Sequence, residues 1–345
     1  MGSKRETITF NKISDEMKVS LKTRIISSIV ALLIAVPCII LGDWLFAALI
    51  LFFVVIATYE IIRCAKPKHS VWLYVVSVIL IICLTFWPLL RQLTTKIDHD
   101  GWQIYGGFDS IYLSIIVVVI AFFSLFWVVV ADKHFSVRDA CFVFTLGIVV
   151  GLGFQSMLYL RYVPLYERYI LIGGVYQDTS YFSWFKNFES CTLAVYVAIA
   201  TFMTDVGAYF IGVFFGKNKI NPRISPKKTW EGFFGGIIIS SICSFCFAFF
   251  LALGGHPVLQ ILSTSNWYYI VALSLLIPLF STLGDFVFSS LKRYYEIKDF
   301  GKLIPGHGGV LDRVDSLIFS VIFSSVFICF VLSIVYNYAG GNPLL

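Results

Sequence analysis

Charge is what this sequence has least of. Only 13% of its 345 residues are Asp, Glu, Lys or Arg, against 59% hydrophobic, and the mean hydropathy is +0.87. A soluble chain cannot hide that much apolar surface, so the composition excludes a globular domain and requires many membrane crossings. Long polar stretches are missing too. The most extended, from Arg161 to Ser190, is too short to be a soluble domain. The eight cysteines fall mostly inside apolar runs, where a thiol packs like a small apolar group. Cys243 and Cys246 form a C-x-x-C, but within a Phe-rich run that argues against a metal or redox role. No small-residue cleavage site follows the first apolar run, so it is read as a retained span. Internal repeats, low-complexity tracts and paired interrupted helices of the transporter kind are all lacking. The net charge of +6 does not imply nucleic-acid binding, because it is spread over loops between spans.

What is present is a succession of apolar runs. At about 20 residues per span, they predict an all-α polytopic protein of about nine transmembrane helices. The runs are 24–41, 44–62, 71–90, 111–131, 140–160, 192–215, 232–254, 267–291 and 316–338. Only Gly42 and Asp43 separate the first two. With the N-terminus inside, the outer segments hold Arg91, Lys96, Arg161, Arg168 and Lys186, leaving 21 of the 26 basic residues inside. That bias sets the orientation: N-terminus cytoplasmic, C-terminus out. Residues 1–23 form a cytoplasmic segment, 24–190 an N-terminal transmembrane region, and 191–345 a C-terminal region carrying the chemistry. The short apolar piece Tyr169–Gly174 is expected to lie along the outer interface. Glu60 and Arg63, one turn apart, are expected to form a local pair without a chemical role.

Three polar motifs interrupt the apolar pattern, all on the predicted cytoplasmic side. The richest runs from Ser289 to Asp315. It holds Lys292, Arg293, Lys298 and Arg313, the carboxylates Asp299, Asp312 and Asp315, His307, and the glycines Gly306, Gly308 and Gly309. A loop that only anchors the next span needs the cations but neither the paired Asp nor His-Gly-Gly. Polyphosphate chemistry needs both signs: cations grip phosphate oxygens, and carboxylates carry a divalent metal. Asp285 lies four residues before Ser289, on the same helical face, at the mouth of the loop. The second motif, Ser225-Pro226-Lys227-Lys228-Thr229-Trp230-Glu231-Gly232, offers two point charges and two hydroxyls ahead of a helix. Glu231 is expected to bind metal or hold a lysine. The third is Asp205, a carboxylate inside an apolar run beside Gly207, Ala208 and Gly212, which suit close helix packing. Gly212-x-x-x-Gly216-Lys217 is too short for a P-loop.

At these residues the chain resembles the phosphatidate cytidylyltransferases, or CDP-diacylglycerol synthases, of the bacterial kind. The run Ser-x-Leu-Lys-Arg, four residues, Lys-Asp, then Pro-Gly-His-Gly-Gly-x-x-Asp-Arg-x-Asp is similar to their signature at every fixed position. Ser225–Gly232 and Asp205–Tyr209 resemble two further family elements. The likeness is strong over about 200–316 and only general in the N-terminal spans. It implies transfer of a cytidylyl group from CTP to phosphatidic acid, releasing pyrophosphate, in a bacterial inner membrane with the site facing the cytoplasm. It implies Mg²⁺ at Asp285 and Asp312, with Asp205, Glu231, Asp299 and Asp315 as secondary acids, and a second, monovalent cation such as K⁺. Lys292, Arg293, His307 and Arg313 join Asp285 and Asp312 as catalytic residues. Ser225, Lys227, Lys228, Thr229, Lys298, Gly308 and Gly309 would bind substrate. Membrane lipids and a second copy of the chain are the expected partners, and nucleic acid is not. Two rivals remain: a CTP-dependent polyprenol or dolichol kinase or an ether-lipid cytidylyltransferase, and, from another class, an ion-coupled transporter using Asp205 and Asp285.

Overall fold

The structure is a computed structural model that describes residues 15–65, 71–94, 96–97, 103–104, 110–131, 135–171, 184–303 and 308–338. Among the described residues each predicted apolar run becomes a helix. These are α1 (Asp15–Leu41), α2 (Asp43–Cys64), α3 (Val71–Thr94), α4 (Ser110–Ala131) and α5 (Val137–Leu171), then α6 (Trp184–Phe215), α7 (Trp230–Leu253), α8 (Trp267–Tyr294) and α9 (Leu311–Tyr338). Two small antiparallel hairpins interrupt them, β1 (Lys96–Ile97) with β2 (Gln103–Ile104), and β3 (Lys219–Asn221) with β4 (Ser225–Thr229). Among the described residues six helices are long and apolar enough to cross a membrane: α2, α5, α6, α7, α8 and α9. The apolar stretches of the other three are shorter, at Ile29–Leu41, Val71–Phe86 and Ile116–Ala131. Backbone groups have no water to bond inside a bilayer, and helices satisfy them internally.

Two buried apolar clusters hold the bundle. One joins α2, α3, α4 and α5 to the start of α9 through Val54, Leu125, Phe154, Leu311 and Ile318. The other joins the end of α5 to α6, α7, α8 and α9 through Tyr196, Ala248, Leu273 and Ile328. Lipid chains are as apolar as leucine, so close packing has to supply what the hydrophobic effect does not. The closest pair is α6 with α7. Gly232, Gly236, Ser240, Ser244 and Ala248 recur every fourth residue along the buried face of α7. A Cβ on Gly236 would come within 2.7 Å of the Thr204 carbonyl oxygen, and one on Gly232 equally close to that of Ala208. The small residues Gly207, Ala208 and Gly212 thus meet α7, as their spacing predicted.

Several boundaries differ from the sequence reading: α1, α6 and α9 begin at Asp15, Trp184 and Leu311, ahead of their apolar runs, and α5 differs most. The polar stretch expected from Arg161 is helical as far as Leu171, because α5 continues. Arg161 is buried, 1% exposed, and donates to the carbonyls of Ile39 (2.7 Å) and Ile40 (3.0 Å) at the end of α1. Those carbonyls lack helical partners, and a guanidinium satisfies them. Its position also explains Gly42, at φ 69°, where a Cβ would collide with the guanidinium. Arg161 is therefore an internal tie and not a loop charge. Tyr169–Leu171 belong to α5, and the rest of the apolar piece up to Gly174 lies outside the described residues.

Candidate active site

The polar residues gather where α6 and α8 end and α7 and α9 begin. Gly284 decides how closely α8 and α9 approach there: a Cβ on it would lie 2.7 Å from the Asp315 carbonyl oxygen and 3.0 Å from Phe319. That contact sets Asp285, the next residue of α8, beside the first turn of α9. Three aspartates follow one pattern, in which one oxygen is held and the other is offered to a lysine. Asp285 Oδ1 accepts from Ser289 Oγ at 3.1 Å, the predicted one-turn pair, while Oδ2 meets Lys228 Nζ. Asp312 Oδ2 accepts the amides of Phe300 (2.8 Å) and Gly309 (2.9 Å), and Oδ1 takes Lys292 Nζ at 3.1 Å. Asp315 Oδ1 accepts the Ser316 amide at 2.8 Å, and Oδ2 lies 3.7 Å from the same Lys292 Nζ.

The motif before α7 is the β3–β4 hairpin, with Asn221 paired to Ser225 and Lys219 to Thr229. It carries Lys228 inward. The ammonium lies 4.1 Å from the centre of the Phe286 ring and meets Asp285 as an ion pair without hydrogen-bond alignment. Lys227 stays exposed and Ser225 half-buried. Two of the expected site residues are bonded to the backbone. Thr229 is buried and caps α7, its hydroxyl accepting the Gly232 amide at 3.2 Å. Glu231 accepts the amides of Lys217 (3.1 Å) and Asn218 (3.1 Å) and the Asn218 side chain (2.8 Å). Its carboxylate ties down the hairpin backbone. Arg293 does similar work from α8, donating Nε to the Ile224 carbonyl at 3.2 Å.

Asp205 faces this cluster from the open side of α6, within electrostatic reach of Asp285, Asp315, Lys228 and Arg313. Lys298, Asp299 and Arg313 are exposed around the rim. Gly308 has φ 89°, and a Cβ there would lie 2.9 Å from Asp312 Oδ2 and 3.3 Å from Asp299 Cβ. Only glycine lets the loop pass that close. His307 and Gly306 lie outside the described residues. One participant escaped the sequence reading. Glu60 of α2 does not pair with Arg63; it is buried and accepts the amides of Val310 and Leu311 from the signature loop. The sole sequence signal was a carboxylate within an apolar run.

The donor set fits a hard divalent cation. Its donors are carboxylate oxygens, partly open on Asp285 and Asp315 and buried on Asp312, whose partner atoms are already fixed, as outer-shell contacts fix metal ligands. Among the described residues no three acids meet at metal-ligand spacing. A Mg²⁺ ion held by one or two carboxylates, with waters and phosphate oxygens completing its shell, would not need such a cluster.

A helical membrane bundle with alternating carboxylates and ammonium groups at one end defines a membrane-embedded enzyme of phosphate chemistry. The chain belongs to the cytidylyltransferase family, whose profile it matches over residues 22–331. It is similar to the phosphatidate cytidylyltransferase of Bacillus subtilis, 28% identical over 301 residues, covering 87% of this chain and 95% of that protein. A Staphylococcus epidermidis protein of the same name is 29% identical over 303 residues, with the same coverage. One from Staphylococcus aureus is 33% identical over 202 residues, 59% of this chain and 64% of that protein.

Proposed function

We propose that this protein makes CDP-diacylglycerol and pyrophosphate from CTP and phosphatidic acid; its relatives are named phosphatidate cytidylyltransferases. The observation that carries the reading is the set of Asp285, Asp312 and Asp315, each locked through one oxygen and facing Lys228 or Lys292. A phosphatidate oxygen attacks the α-phosphorus of CTP, the bond from that phosphorus to the α–β bridging oxygen breaks, and pyrophosphate leaves with the electron pair. Lys228 and Lys292 exchange their aspartate partners for phosphate oxygens, and Lys227, Arg293, Lys298 and Arg313 add charge at the rim. Mg²⁺, which Asp285 and Asp312 would hold, would neutralise the charge that builds on the triphosphate. The nucleophile is already an anion near neutral pH, so no strong general base is needed. Positioning and electrostatics provide the acceleration.

All nine helices cross the membrane in this reading, with the N-terminus and the site on the cytoplasmic side of a bacterial cell membrane. Of the 26 basic residues 21 fall on the inner side and, with Arg161 buried against α1, four of the other five remain as outer charges, which supports it, as does the gathering of the motifs at one end of the bundle. The test is incubation of purified protein with phosphatidate, Mg²⁺ and CTP labelled at the α-phosphate or the γ-phosphate. Label from the α position in the lipid, lost with EDTA, is the expected result. Label from the γ position would mean a CTP-dependent kinase and would overturn the proposal.

A further inference from the structure

We propose that Glu60, on α2 in the N-terminal half, is a positioning residue for the signature loop, on which the alignment of Asp312 and Lys292 depends. It sits 250 residues from its partners in sequence, yet both its oxygens are used: Oε1 accepts the Val310 amide at 2.9 Å and Oε2 the Leu311 amide at 2.8 Å. Only 2% of the residue is exposed. The slot around it has no slack, since a Cβ on Gly301 or on Gly309 would collide with Oε1. Two of the loop's glycines are thus explained by room for a carboxylate from another part of the chain.

The amides divide between two acids. Asp312 takes those of Phe300 and Gly309, and Glu60 takes the next two, Val310 and Leu311. Together they close the loop on itself and fill the N-terminus of α9, where free amides and the helix dipole favour an anion. That anion position is therefore occupied by the protein itself, and substrate phosphates are left to the lysines. Loss of Glu60 leaves two buried amides unpaired and releases the turn that aims Asp312 Oδ1 at Lys292. Glutamine is a poor substitute despite its shape. Its NH₂ would face a backbone N–H, donor against donor.

The activity arm of the test rests on the cytidylyl-transfer reading, whereas the exchange arm does not. In Glu60→Gln, taken as the folded, monodisperse fraction, kcat for CDP-diacylglycerol formation should fall about 100-fold, as small misplacements of reacting groups do. KM for CTP should stay within about twofold, because the lysines remain. Unchanged kcat per folded molecule, or a rise in KM alone, would overturn the proposal. Amide hydrogen exchange on the wild-type protein decides the matter if the variant does not fold. Val310 and Leu311 should be protected as strongly as the interior of α9, and exchange at the rate of an open loop would refute the contact. A wild-type protein inactive with CTP and phosphatidate, but protected at these amides, would sink the substrate assignment and leave the Glu60 clamp standing.

Discussion

At the scale of single residues, the site works by fixing one oxygen of each aspartate so that the other is presented. Ser289 does this for Asp285. Ser289→Ala should therefore raise the Mg²⁺ concentration for half-maximal activity by about tenfold, the usual cost of losing an outer-shell contact. A Mg²⁺ titration of the purified variant measures it, and the fold should be untouched. Lys292 neutralises Asp312 and Asp315 together. Lys292→Met should reduce kcat at least about 100-fold, since a preorganised charge on a triphosphate is lost. The Asp285–Ser289 contact was legible in the sequence because four residues on a helix share a face. The contacts of Glu60 and Arg161 were not. Their partners are carbonyls and amides more than a hundred residues away, and no local spacing encodes them. The amide partners of Thr229 and Glu231 were not legible for a related reason. A hydroxyl or carboxylate before a helix looks the same whether it will meet a ligand or its own backbone, and here the backbone amides came first.

At the scale of elements, two helix contacts decide where the acids sit. The α8–α9 crossing turns on Gly284, whose missing side chain lets the backbone of Asp315 lie against it. Gly284→Ala should destabilise the protein by about 1–3 kcal/mol through overpacking and lower activity further than its loss of stability explains. Thermal unfolding in detergent alongside kcat per folded molecule separates the two effects. Thr229→Ala removes only a cap and should cost about 1 kcal/mol, with kcat close to wild type. Each of the nine apolar runs read from the sequence falls on a helix, because hydropathy dominates helix formation in a bilayer. Their ends were less well read. The continuation of α5 past Arg161 depends on that side chain being buried against α1, which hydropathy counts as a charge and therefore as a loop.

At the scale of the whole molecule, the arrangement answers a transport problem. A nucleotide arrives from water and a phospholipid arrives sideways from the bilayer, so the reacting groups have to meet where helices end. α6, α7, α8 and α9 supply the charged residues, and α2 reaches across with Glu60 to hold their loop. The N-terminal half is thus more than an anchor in this account. The most direct test is cytidylyl transfer by Asp285→Asn and Asp312→Asn, each purified and compared with wild type across a Mg²⁺ titration at saturating CTP and phosphatidate. Both variants should melt near the wild-type temperature and lose at least about 100-fold in turnover that added Mg²⁺ does not restore. Wild-type turnover in either would show that the chemistry does not run through these carboxylates.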